Sequence, residues 1–161
     1  MEDFNWELRY QFVELALSNG VAVMVISRIH PRRLDKQFLL KDAELIWLTT
    51  TPSNDGAKIR TIMPDSSIKI HMTIQGFLKE KRGAVVLLDG LEYLISQNGF
   101  NMTMKLLQLL NEAVSISDAI MLIPVNTDAL DESWLGILRR ELHPLTDDGI
   151  DAYIGGLEKV N

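Results

Sequence analysis

The chain reads as an α/β domain of three layers, helix, sheet and helix, around a mainly parallel sheet of at least four strands. Three observations predict this. The runs Val21 to Ile26, Ala84 to Leu88 and Ala119 to Ile123 are apolar at successive positions, as expected of parallel strands covered on both faces. Stretches with apolar residues three and four apart separate them, which is helical spacing. The alternation of the two is the pattern of a doubly wound sheet with right-handed crossovers.

Each element follows in order. Leu8, Phe12, Leu15 and Ala16 line one face of a first helix that ends near Asn19-Gly20. Trp6, Tyr10, Val13 and Leu17 form a second apolar face, so this helix is either deeply buried or shared with a partner subunit, and these four are the candidate interface residues. Val21 to Ile26 is the first strand, Arg32 to Leu40 a short helix after Pro31, and Glu44 to Thr49 the second strand. Thr51 to Gly56 is polar and turn-rich, a loop, and Lys58 to Met63 is a short strand-like piece. Pro64 to Ser67 opens a helix whose buried stripe is Ile70, Ile74, Phe77 and Leu78. Gly83 precedes the strand Ala84 to Leu88. Leu91 to Gln97 is helical, Asn98-Gly99 breaks it, and Asn101 to Ser115 resumes with Met102, Leu106, Leu109, Leu110 and Ala113 inward. After Ala119 to Ile123, Asp128 caps a last helix with Asp131 and Glu132 at its start and Arg139 and Arg140 at its end, matching the helix dipole. Its core face is Leu130, Trp134, Ile137 and Leu138. Residues 1–145 therefore form one domain, and 146–161 a tail or loosely packed extension.

Composition bounds the function. The 161 residues hold 16 basic and 22 acidic side chains, a net charge of −6, and 47% are hydrophobic. A mildly acidic chain is a poor non-specific binder of nucleic acid, which needs clustered Lys and Arg. The absence of cysteine excludes disulfides, zinc–cysteine sites and thiol chemistry. No apolar run is long enough to span a bilayer, and the acidic, amphipathic start is unlike a signal peptide. A cytoplasmic location without membrane insertion is expected.

In open parallel sheets ligands bind beyond the carboxyl ends of the strands, where strand order reverses. Ser27 and Arg28 follow the first strand, Thr49 the second, Asp89, Glu92 and Tyr93 the third long strand, and Asn126 the last; these seven are the candidate ligand-binding residues. Val85 to Asp89 has the form of a Walker B strand, in which a terminal carboxylate holds Mg²⁺ on a nucleotide. Its partner, a Gly-x-x-x-x-Gly-Lys-Ser/Thr phosphate loop, has no match: the chain reads Ser27-Arg-Ile-His-Pro31 at that place. Arg28, His30, Arg32 and Arg33 could gather an anion, or Arg28 could pair with Asp89 or Glu92 and close the rim. His30, His71 and His143 lack metal-ligand spacing, so no metal, cofactor or catalytic residue is assigned.

Ser27-Arg28 with Pro31, Ile46-Trp47-Leu48-Thr49, Leu87-Leu-Asp-Gly-Leu-Glu-Tyr-Leu94 followed by Asn98-Gly-Phe100, and Pro124 together resemble the archaeal domain-of-unknown-function family numbered 835, over about Gly20 to Leu145. The resemblance implies a RecA-like core, related to RecA/KaiC domains, that has lost its phosphate loop and serves archaeal signalling. Its recurring polar residues would be Ser27, Arg28, Thr49, Asp89, Glu92, Tyr93 and Asn98. Standing without a sensor segment, the chain is expected to be a non-catalytic signalling or scaffold module that binds another protein or a copy of itself. The alternative is a nucleotide- or anion-binding switch that takes a small-molecule ligand at the rim.

Overall fold

The computed structural model describes residues 6–51 and 58–158. Its sheet has five strands, all parallel: β1 (Val23–Ser27), β2 (Glu44–Leu48), β3 (Arg60–Ile62), β4 (Val85–Asp89) and β5 (Ile120–Leu122), in the order β3-β2-β1-β4-β5. The short piece expected at Lys58 to Met63 is thus a full member of the sheet, paired to β2. The polar loop expected at Thr51 to Gly56 lies, from Pro52 on, outside the described residues.

The helices are α1 (Trp6–Ser18), α2 (Pro31–Gln37), α3 (Ser67–Glu80), α4 (Leu91–Asn98), α5 (Phe100–Ser115), α6 (Glu132–Glu141) and α7 (Asp147–Glu158). Alternation along β1 sets the two outer layers, because successive side chains leave opposite faces of a strand. Met24 and Ile26 pack with Ile70, Ile74 and Phe77 of α3 and with Leu106 and Leu110 of α5. Val23 and Val25 pack on the other face with α1, with Leu34 of α2 and with Ile150 of α7. A third cluster joins Leu91 and Ile95 of α4 to Phe100 and Leu107 of α5 and to Leu138 of α6.

The stripe expected on α3, Ile70, Ile74, Phe77 and Leu78, is the set that is buried. Other expectations need correcting. Of the second apolar face of α1, which spacing leaves either buried or shared with a partner, Tyr10 and Val13 are 1% and 0% exposed within this chain, and Leu17 is half-buried. The Trp6 side chain lies outside the described residues. The reason is that α1 meets two surfaces of its own protein: the sheet, and α7, which packs against it. Tyr10 also stacks on Phe38 with ring centroids 5.0 Å apart. Correspondingly, residues 147–158 are a helix and not a tail, and Ile150 is buried in the same cluster.

On α5, Met102 and Leu109, expected to face inward, are 50% and 45% exposed; the inward positions are Thr103, Met104 and Leu107 alongside Leu106, Leu110 and Ala113. Apolar spacing permits either choice, and the flank that α6 covers decides it. On α6 itself Leu135 is buried and Ile137 is exposed. The N-cap of α6 is Asp131, while Asp128 lies in the preceding 3₁₀ turn, where Asn126 Oδ1 accepts its N–H.

Candidate functional site

The chain runs outward from β1 through β2 to β3, then crosses back to β4 and β5. Strand order therefore reverses between β1 and β4, the crevice where doubly wound sheets bind ligands. Register puts Ser27 of β1 directly beside Asp89 of β4. The ends of the first and third long apolar runs thus lie side by side.

Alternation then sorts the rim residues onto two faces. Ser27 continues the series of Val23 and Val25, and Asp89 continues that of Val85 and Leu87, so both point toward α1. The Tyr10 hydroxyl comes down from α1 and donates to Asp89 Oδ2 at 2.6 Å, lying 2.9 Å from Ser27 Oγ. Ser27 Oγ donates to the same carboxylate oxygen at 3.1 Å and accepts the N–H of Ile29 at 3.0 Å. Burial pushes the Tyr10 hydroxyl well above the usual tyrosine range, and the neighbouring Asp89 charge and hydrogen bond add to the effect. Its proton stays on the phenol and solvates the carboxylate. Asp89 Oδ1 has no hydrogen-bond partner among the described residues, and since no described buried side-chain oxygen or nitrogen lacks one, Oδ1 reaches solvent.

Arg28 falls on the opposite face, the series of Met24 and Ile26. It is exposed, and its guanidinium lies over the Tyr93 ring of α4, 4.3 Å from the centroid, a cation–π contact. The expected closure of the rim by an Arg28 pair with Asp89 or Glu92 does not occur among the described residues. Arg28 and Asp89 leave opposite faces, and Glu92 instead accepts the backbone N–H of Asn126, tying α4 to the segment after β5. The backbone of the switch point is closely knit. The Arg28 N–H donates to the Asp89 carbonyl at 3.1 Å, and Trp47 Nε1 donates to the Arg28 carbonyl at 3.1 Å. Between β4 and α4, Gly90 has φ +146°, and a Cβ there would meet Leu48 Cδ2 at 3.2 Å. Only glycine suits both the angle and the space.

The structure therefore brings Ser27 to Asp89 on one face of the switch point and Arg28 to Tyr93 on the other, with Glu92 and Asn126 as an adjoining pair. Thr49 stands apart at the end of β2: its N–H donates to Ile62 and its hydroxyl accepts from Thr51. Asn98 is structural, its side-chain amide donating to the Pro64 and Leu94 carbonyls. Nor do the basic residues after β1 converge. His30 Nδ1 caps α2 by accepting the Arg32 N–H at 3.2 Å and its ring meets Trp47 edge-on, while Arg32 and Arg33 lie exposed on that helix. Tyr10 is the rim residue that sequence reasoning misplaced. A hydroxyl on an otherwise apolar helix face is the signal that marks it, since a buried phenol needs a partner.

A cavity of about 510 Å³ lies apart from the rim, along the outer edge of β5. Ile120, Leu122, Leu135 and Leu142 are among the side chains that line it.

A family model described as "Protein of unknown function (DUF835)" matches residues 5–142. The chain belongs to this family. The match takes in every DUF835 element from α1 through α6, including the rim just described, and stops before α7. No curated protein matches the chain. Among the described residues, no helix of this DUF835 domain is long and apolar enough to cross a membrane.

Proposed function

We propose that this domain is a non-catalytic regulatory module whose working part is the strand-end rim, where Arg28 receives an anionic ligand of the nucleotide class. One observation carries the reading. At the switch point of a doubly wound sheet, an exposed guanidinium rests on the Tyr93 ring with no carboxylate paired to it among the described residues. Its planar fork suits a phosphate or carboxylate, and the ring beneath holds it in place at little cost in rotamer freedom. Asp89 supports binding better than chemistry: two hydroxyls hold one of its oxygens, and the other is left at the rim to meet a ligand hydroxyl or hydrated cation. The archaeal signalling role and the kinship to RecA/KaiC-like domains, which the sequence resemblance implies, belong to this same proposal.

Thermal shifts with ATP, GTP and cyclic dinucleotides, each with and without Mg²⁺, test it. A ligand at a hundredfold excess over Kd stabilises the native state by about 2.7 kcal/mol. That response should disappear in Arg28→Ala and weaken in Tyr93→Ala. A flat response to every ligand would sink the rim reading, and a turnover abolished by Asp89→Asn would replace it with an enzymatic one.

The second reading is regulation through protein contact, self-association included. The face of α1 first expected to serve it is largely spent inside the monomer, but exposed apolar residues on α3 and α5 favour it.

A further inference from the structure

We infer that the outer face of α3 and α5 is a two-fold interface between copies of this chain. The inference deepens the self-association reading and is independent of the rim. Met102 and Leu109 on α5 and Ile116, its C-cap, follow one another at seven-residue intervals and are 50%, 45% and 85% exposed; Ile68 and Met72 on the adjacent α3 are 77% and 63% exposed. Solitary exposed apolar residues need no explanation, but five on the same side of two neighbouring helices do. A seven-residue period keeps an apolar stripe facing one partner helix along its whole length.

Charge identifies the occupant as a second copy. Lys105 and Glu112 are also seven residues apart and exposed, on the same outward side as the stripe. A two-fold axis crossing α5 between them, near Leu109, sets each Lys105 against the other copy's Glu112. The same operation brings Leu109 beside its own equivalent and Met102 toward Ile116. Parallel pairing would instead oppose lysine to lysine and glutamate to glutamate. An isologous contact must be self-complementary in this way. Size agrees as well. A 16-residue helix is about 24 Å long, and two helices side by side, each about 10 Å wide, offer about 500 Å² per copy. The total, about 1,000 Å², is near the lower bound for a specific interface, so a concentration-dependent dimer is expected.

Sedimentation equilibrium on the full chain over a wide concentration range should show the mass rising from 18.2 kDa toward twice that value. Leu109→Asp should hold the protein at monomer mass throughout with its circular dichroism unchanged. Lys105→Glu should raise the dissociation constant at least tenfold, and Lys105→Glu combined with Glu112→Lys should restore it, because the swap preserves complementarity. A wild-type chain that stays monomeric at every concentration overturns self-association itself. A dimer that ignores both Leu109→Asp and the charge reversals overturns this face alone and leaves self-association standing on another surface.

Discussion

Helices α1 and α5 carry the same kind of excess and meet different fates. Each has more apolar residues than one buried stripe requires. In α1 the second face, with Tyr10 and Val13, is taken up by the protein's own sheet and by α7. In α5 the flank holding Met102 and Leu109, continued by Ile116 at the C-cap, is left at the surface. The difference lies in what the chain does afterwards. Beyond Pro144 it returns as α7 to the α1 layer, while α6 covers only the opposite flank of α5. Amphipathic excess therefore records that a surface needs covering, and the later course of the chain decides what covers it.

The largest effect expected from this contrast comes from one charge placed on each helix. Val13→Asp buries a carboxylate with no partner and should cost more than about 4 kcal/mol, enough to abolish a cooperative thermal transition. Leu109→Asp should leave the monomer's stability within about 0.5 kcal/mol of the parent. Comparable melting temperatures for the two would erase the distinction between the helices.

A smaller effect tests whether α7 is a true cover. Ile150→Ala should destabilise by about 2–5 kcal/mol, as for other buried aliphatic truncations, when measured by urea denaturation. A change near zero would return residues 146–161 to the status of an appendage and leave α1 with an open face.

Smallest is the polar end of the α1 face. Tyr10→Phe removes a donor from Asp89 and should cost about 1–3 kcal/mol. Its pH dependence has a definite sign. The folded-state value of Tyr10 is raised, so the native form holds a proton that the unfolded chain releases near pH 10. The contribution is fully present below about pH 10 and is lost above it, by at most about 1.4 kcal/mol per pH unit. Stability curves of the parent and Tyr10→Phe should therefore converge above pH 10. Parallel curves would mean that the phenol is not buried against the carboxylate.

Much of the rim was legible in sequence, and alternation shows why. Once Val23 and Val25 are assigned to one face, Ser27 must join them and Arg28 must oppose them; the same reasoning places Asp89 with Val85 and Leu87. Pairing of Arg28 with Asp89 is excluded once the register sets Val85 and Leu87 beside Val23 and Val25. The contact of Ser27 with Asp89 needed the register between β1 and β4, and Tyr10 needed the packing of α1, both separated by long stretches of chain.

By itself, then, the sequence determined the doubly covered parallel strands, the helices between them, the α3 stripe and the family, because each rests on local periodicity or on a contiguous motif. Tertiary structure alone decided which apolar faces were covered, that β3 joined the sheet, that α7 closed over α1, and that Tyr10 met Asp89. Those outcomes depend on contacts between segments far apart in the chain, and a local pattern carries no information about which distant segment will satisfy it.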